Sequence, residues 1–448
     1  MAKKYTLEFY TYLFVLGLLF FSQIFIGILL VRFFPESEPI REFYFGFNQF
    51  KLIGLRGILV GAILISLVWA FRKKINSFLM SSLVFLEEKK WRVHLFIWLT
   101  AILAGIVFFS FSTGFINPDA KSFERKFNRV VPVFGAHVTH DEMWELFFHS
   151  RFWLYTNQTY GWDVNFSYRV VSSVMGAFFI LALLYYARQK RQNDWAGFAI
   201  LICSGGYMQL FFGDVENYTM TALFVFIYLW VADLYIQNKV NLWLACLLLV
   251  IAMSFHLLSG FLLPSLLYLF YLSYQRQQIK EIILGIFLIA GLMVANLIFF
   301  TNYGLPIENL WTASFASGQG GNYQEFLVIP NLNYYSEIIN LLFLIAPFWI
   351  LMIPLLIFKR VKGNENNLFL VFSIMGMLCL LFGWKAQLGV YNDWNLFAIS
   401  ALPISLFIWN NSMNLPDSEL KVNISILAGF VFSFHTLIWI YSNYLLRL

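Results

Sequence analysis

Six ionisable side chains fall within thirteen residues: His137, His140, Asp141, Glu142, Glu145 and His149. On a helix, Asp141, Glu145 and His149 are spaced by four and share a face. Two or three of them could hold a divalent metal ion, or one carboxylate could act as a general base. A structural explanation competes at Glu142: Thr139 three residues earlier makes a capping box, and acids in a first turn suit the helix dipole. Asp119 stands upstream in the same segment.

A second acidic group is Phe212-Gly213-Asp214-Val215-Glu216-Asn217-Tyr218. A turn that merely starts a helix needs one polar cap, Asn217 or Asp214, and not two acids flanked by aromatics. The third group is Trp384-Lys385-Ala386-Gln387 with Tyr391-Asn392-Asp393-Trp394-Asn395. There Lys385 either faces an anion such as a phosphate or snorkels to a membrane interface. His256 and Arg169 lie at the ends of apolar runs, where either could serve the site or simply hydrogen-bond a helix end. His94 and His435 read as structural, and Arg56 as a packing or lipid-headgroup contact.

The elements that must position these groups are membrane spans. The 448 residues are 60% hydrophobic and only 12% charged, with mean hydropathy +0.71. A soluble domain carries about 25% charged residues, so a soluble globular protein is excluded and the exterior must face lipid. A net charge of +6 does not mark a nucleic-acid binder, because the Lys and Arg lie in short clusters between apolar runs. Cys203, Cys246 and Cys379 sit inside apolar runs and imply no disulfide framework. Met1-Ala2-Lys3-Lys4 precedes a run too long for a cleaved signal, which reads as a first anchor.

About thirteen stretches are long and apolar enough to span, near residues 9–32, 52–71, 93–113, 170–187, 195–212, 217–236, 241–258, 259–275, 281–301, 336–358, 367–384, 395–410 and 423–443. Every second connector is basic, from Lys3-Lys4 through Arg188 to Arg191 and Lys359-Arg360 to Lys421, which places those connectors in the cytoplasm. The acidic and histidine groups then gather at the external ends. Two long external segments, 114–169 and 302–335, need a purpose. In the first, Trp144, Phe147, Phe148, Phe152 and Trp153 predict a helix lying at the interface. In the second, Gly318-Gln319-Gly320-Gly321-Asn322-Tyr323 reads as a flap.

With Asp141-Glu142 opening a helix in a long external loop, Arg169 to Gly176 leading into the next span, acids in short external turns and a late basic residue, the chain resembles the GT-C superfamily of membrane glycosyltransferases. That group includes protein mannosyltransferases and the aminoarabinose transferase of lipid A. The resemblance covers 93–448, leaving 1–92 as a two-span N-terminal addition; in the family the acidic loop usually follows the first span. It implies an all-α polytopic membrane fold whose long first catalytic loop carries interfacial helices. It also implies an inverting transfer of sugar from a polyprenyl-phosphate donor to a glycan, lipid or protein acceptor. Asp141 would be the base, with Asp119 in reserve, while Lys385 and Arg169 neutralise the leaving phosphate. Glu142, Asp214, Glu216, Asp393 and His256 would position acceptor or donor. A divalent ion, used by some members, would draw on Asp141, Glu145 and His149. The setting would be a bacterial inner membrane, with the site facing the periplasm or exterior, among membrane lipids and without nucleic acid. Rival readings are a secondary transporter, disfavoured by the absence of sequence repeats and by spans that, apart from Arg56, are nearly free of mid-depth charge, and a metal-dependent membrane hydrolase built on His137, His140 and His149.

Overall fold

The computed structural model describes residues 2–33, 46, 49–114, 142–190, 195–302, 332–384, 386, 389–412 and 418–447. Among them every regular element is a helix. In chain order these are α1 (Ala2–Phe33), α2 (Phe50–Glu87), α3 (Lys90–Ser110), α4 (Met143–Tyr160), α5 (Val164–Lys190), α6 (Trp195–Cys203), α7 (Thr219–Ile236), α8 (Leu242–Phe255), α9 (Leu263–Gln275), α10 (Ile279–Asn302), α11 (Leu332–Ile345), α12 (Met352–Ile357), α13 (Glu365–Gly383), α14 (Trp394–Ala398), α15 (Ala401–Ser412) and α16 (Ser418–Arg447). Short 3-10 helices at Gly206–Phe211, Leu257–Leu262 and Pro347–Leu351 link some of them.

Eight described helical stretches are long and apolar enough to cross a bilayer, and a ninth crossing exists if the bent pair Asn333–Ile345 and Pro347–Ile357 counts as one. The chain is a multi-pass integral membrane protein. Its lipid-facing surface is plain in α10, where only 6% of the most apolar window is buried and Phe287 is 72% exposed.

Five of the thirteen expected runs are not among these: of the run at 9–32 the described residues give the shorter apolar helix Leu7–Gln23, and the other four are short or broken in ways that hydropathy does not register. The run at 195–212 is α6 followed by a 3-10 turn; the run at 395–410 is α14 and α15; the run at 241–258 holds a helix of only 14 residues. The run at 336–358 bends by 102° at Ala346-Pro347. Pro347 lacks the N–H that would continue the helix. At the other break Gly206 is pressed so close to the end of α11 that an added Cβ would lie 2.0 Å from the Leu344 carbonyl oxygen. Irregular backbone at membrane depth survives only where protein covers it, and the Gly206–Phe211 turn is buried throughout.

Helix α3 packs along α5, α5 on α7, α7 on α8 and α8 on α10. The N-terminal pair is tied into the body: α2 packs on α16, Glu8 pairs with Arg360, and Gln23 and Gln49 both hydrogen-bond the buried His435. Ion pairs Arg188 to Glu87, Lys190 to Asp233 and Arg276 to Glu365 clasp one end of the bundle. Since α5 has 27 residues, about 40 Å of helix separates Lys190 from its other end, where the acidic groups gather.

Candidate functional site

Helix α3 stops at Ser110, and the chain leaves it in extended form beside the turn after Phe211. Thr113 N donates to the Phe212 carbonyl at 2.8 Å and Gly114 N to the Gly213 carbonyl at 3.1 Å. Gly213 takes φ +69°, a conformation open to glycine, and a Cβ there would lie 2.4 Å from Ser112 Cβ. Ser172 Oγ on α5 then donates to the Asp214 carbonyl at 3.0 Å, pinning the turn to that helix. Val215 packs into a small cluster with Trp153, Val164 and Tyr168. Asp214 and Glu216 flank this anchoring valine in the chain.

The Asp214 carboxyl is 4% exposed, and its Oδ2 has no hydrogen-bond partner among the described residues. Burial pushes its pKa from 3.8 up to about 7, against the smaller opposing effect of the Val215 backbone N–H. Near neutral pH both its protonated and its ionised forms are populated.

Glu142 occupies the N-cap position of α4, yet its side chain makes no capping hydrogen bond. It reaches across instead. Tyr168 Oη donates to Asn217 Oδ1 at 3.1 Å, and Asn217 Nδ2 donates to Glu142 Oε2 at 2.8 Å. Glu142 Oε1 stands 3.5 Å from His256 Nε2. Because His256 Nδ1 accepts from Leu258 N at 3.3 Å, the neutral ring carries its proton on Nε2, facing Glu142. The imidazole also lies nearly flat on Tyr218, with centroids 4.9 Å apart. His256 thus caps the 3-10 helix Leu257–Leu262 with one ring nitrogen and turns the other toward Glu142.

Of the three side chains expected to share a metal ion, Glu145 and His149 lie together and Asp141 is outside the described residues. Glu145 is fully buried, and its Oε1 accepts from Met220 N at 3.3 Å and Thr219 Oγ1 at 3.4 Å. A carboxylate there opposes the positive end of α7. Glu145 thus serves the start of α7 in place of Asp214 or Asn217, and the N-cap residue Tyr218 makes no side-chain capping hydrogen bond. His149 lies 3.6 Å from Glu145 and stacks flat on Tyr168 at 3.8 Å between centroids. Among the described residues no three His, Cys, Asp or Glu side chains form a group able to hold a metal ion.

Arg169 extends from α5 beside the turn. Its Nε donates to Ser112 Oγ at 2.6 Å, its stem lies against Gly213, and its guanidinium sits 5.2 Å above the Phe109 ring. Asp393 begins α14, which packs on the 3-10 helix leading to the Phe212–Asp214 turn. Asp119, His137, Thr139, His140, Asp141, Lys385 and the Gly318–Tyr323 segment lie outside the described residues. The aromatic helix expected near 144–153 exists as α4. It does more than rest on an interface: Trp144 stacks on Phe299 and donates to Asn296, while Trp153 is buried.

Tyr168 is the residue that sequence reasoning passed over. Glu142, Glu145 and Glu216 all act on it electrostatically, and it joins α4 to the 214–217 turn. The signal for it was the polar first part of α5, Asn165, Ser167, Tyr168, Arg169, Ser172 and Ser173, in which Tyr168 and Ser172 stand four apart on one face. The arrangement can accept a proton, orient hydroxyl groups by acceptors at fixed spacing, and hold an anion beside Arg169. Neither a family model, nor a curated relative, nor a solved structure matches the chain.

Proposed function

We propose that the protein is a GT-C-type glycosyltransferase that moves a sugar from a polyprenyl-phosphate carrier to an acceptor hydroxyl at the external membrane face. The observation that carries this reading is the convergence of Glu142, Asp214, Glu216 and His256, from three separate chain segments, at the bundle end remote from Arg188, Lys190 and Arg276. An enzyme for an amphiphilic donor needs acids and a cation where the lipid head lies, and that end supplies Glu142, Asp214 and Arg169 together.

In the proposed reaction Asp141, the residue before Glu142 in the chain, takes the acceptor hydroxyl proton. The acceptor oxygen forms a bond to the anomeric carbon as the bond from that carbon to the phosphate oxygen breaks. The electron pair leaves with the lipid phosphate, whose charge Lys385 and Arg169 offset. One displacement inverts the anomeric configuration. Glu142 and Asn217 would orient the acceptor, with Asp119 as the reserve base and Asp393 as a further positioning group. Glu145 and His149 belong to the scaffold in this scheme, so a divalent ion would need ligands beyond them. The GT-C architecture, the 1–92 addition and the bacterial inner-membrane setting are parts of this same proposal.

A transporter reading takes some support from two broken spans that touch, Gly206 against Leu344, since broken helices line many transport sites. The residues at that meeting are apolar or aromatic, such as Tyr207 and Leu344, which suits packing better than ion coordination. The deciding experiment is Asp141→Asn, assayed with a radiolabelled polyprenyl-phosphate sugar in proteoliposomes. Loss of transfer in a folded, membrane-inserted variant is expected; full activity would remove Asp141 from the reaction.

A further inference from the structure

Between α3 and α5 runs an apolar crevice of about 490 Å³. Its floor is made by small residues, Gly105, Ser173 and Ala177; a Cβ on Gly105 would stand 3.1 Å from that of Ala177. Its rim includes Ile106 and Val174, 57% and 44% exposed, so the crevice opens sideways to lipid. The lining on α3 runs from Trp98 to Ser110, about 18 Å at 1.5 Å per residue. One leaflet contributes about 15 Å of a bilayer's hydrocarbon depth. A chain lying in the crevice would therefore traverse a single leaflet.

Phe109 and Ser110 line the last turn of α3 in the crevice, and the Arg169 guanidinium sits 5.2 Å from the Phe109 ring. On its other side the Arg169 stem touches Gly213, the neighbour of Asp214. An anion bound by Arg169 would consequently sit between an apolar slot and the acidic turn. We infer that this crevice receives the isoprenoid chain of a lipid phosphate whose head is held at Arg169. The inference rests on the proposed glycosyltransferase reading for naming that lipid as the sugar donor. One slot matches one chain with a terminal phosphate, whereas a two-chain phospholipid would leave half of its hydrocarbon outside. Entry is lateral, from the membrane, and needs no opening through the acidic end.

The test is binding of undecaprenyl phosphate to the purified full chain, followed by native mass spectrometry. Val174→Trp fills the slot from its lipid-exposed rim without colliding with the fold, and Arg169→Gln removes the cation. Each is expected to weaken binding about ten-fold, the loss of about one good apolar or charge-assisted contact. Leu103→Trp, also at an exposed position but on the part of α3 outside the slot, is expected to bind as the unaltered protein does. Equal effects of Val174→Trp and Leu103→Trp, or displacement by an equal concentration of phosphatidic acid, would overturn the proposal. So would absence of binding by the unaltered protein. Binding that depends on Val174 and Arg169, with no transfer from any prenyl-phosphate sugar, would keep the crevice and remove the transferase reading. Transfer with unchanged donor KM in Val174→Trp would do the reverse.

Discussion

Replacing Asp214 by Asn isolates the effect of burying a carboxyl at this turn. The side chain titrates at about 7 instead of 3.8 because its surroundings withhold the solvation an anion requires. A folded-state pKa above the unfolded one means that the folded chain holds the proton more tightly. Stability then falls as pH rises from about 4, by about 1.4 kcal/mol per pH unit, and levels off once both states are ionised above about pH 7. The full loss is about 4 kcal/mol, and relaxation of the turn with water entry reduces what is measured. Asn keeps the shape and carries no charge. Relative to the unaltered protein, the Asn variant is expected to gain about 2 kcal/mol between pH 5 and pH 8. Thermal unfolding in detergent, followed by tryptophan fluorescence at both pH values, reads this directly. A stability difference that stays constant across that range would refute the reasoning, since it would mean that the ionised carboxylate is as well satisfied folded as unfolded.

Gly213→Ala should destabilise by at least about 1–2 kcal/mol, because alanine disfavours φ +69° and its methyl would meet Ser112; an unchanged Tm would show that the turn can shift at no cost. Glu8→Gln leaves the Arg360 guanidinium facing a buried, uncharged partner, where Glu8 had accepted from Arg360 Nε at 2.8 Å. A loss of about 2 kcal/mol is expected, below the figure for fully buried pairs because Arg360 is partly exposed. For Lys385→Ala, weaker donor binding with little change in Tm is expected, and unchanged donor affinity would favour a lysine that only snorkels to the interface.

Composition alone made this a membrane protein, because 12% charged residues leave too little polar surface to wet a soluble body of 448 residues. Run length likewise located the helices that cross without interruption, such as 93–113 and 281–301, since a bilayer requires unbroken apolar helix. The acidic turn at 214–216 and the carboxylates at 142–145 were also readable, because ionisable groups are scarce enough in such a chain for each to stand out.

Hydropathy is blind to backbone direction, and so the break at Gly205-Gly206 and the 102° bend at Pro347 emerged only once neighbouring helices were in place. Division of labour among the acids was equally beyond the sequence. Glu142 and Glu145 are three residues apart, yet one bridges Asn217 and His256 while the other stabilises the start of α7. Their spacing on α4 is fixed by the chain, but which partner each meets depends on how α4 lies across α5, α7, α8 and α10, and that is set by packing between distant residues, such as Trp144 and Asn296, 152 positions apart.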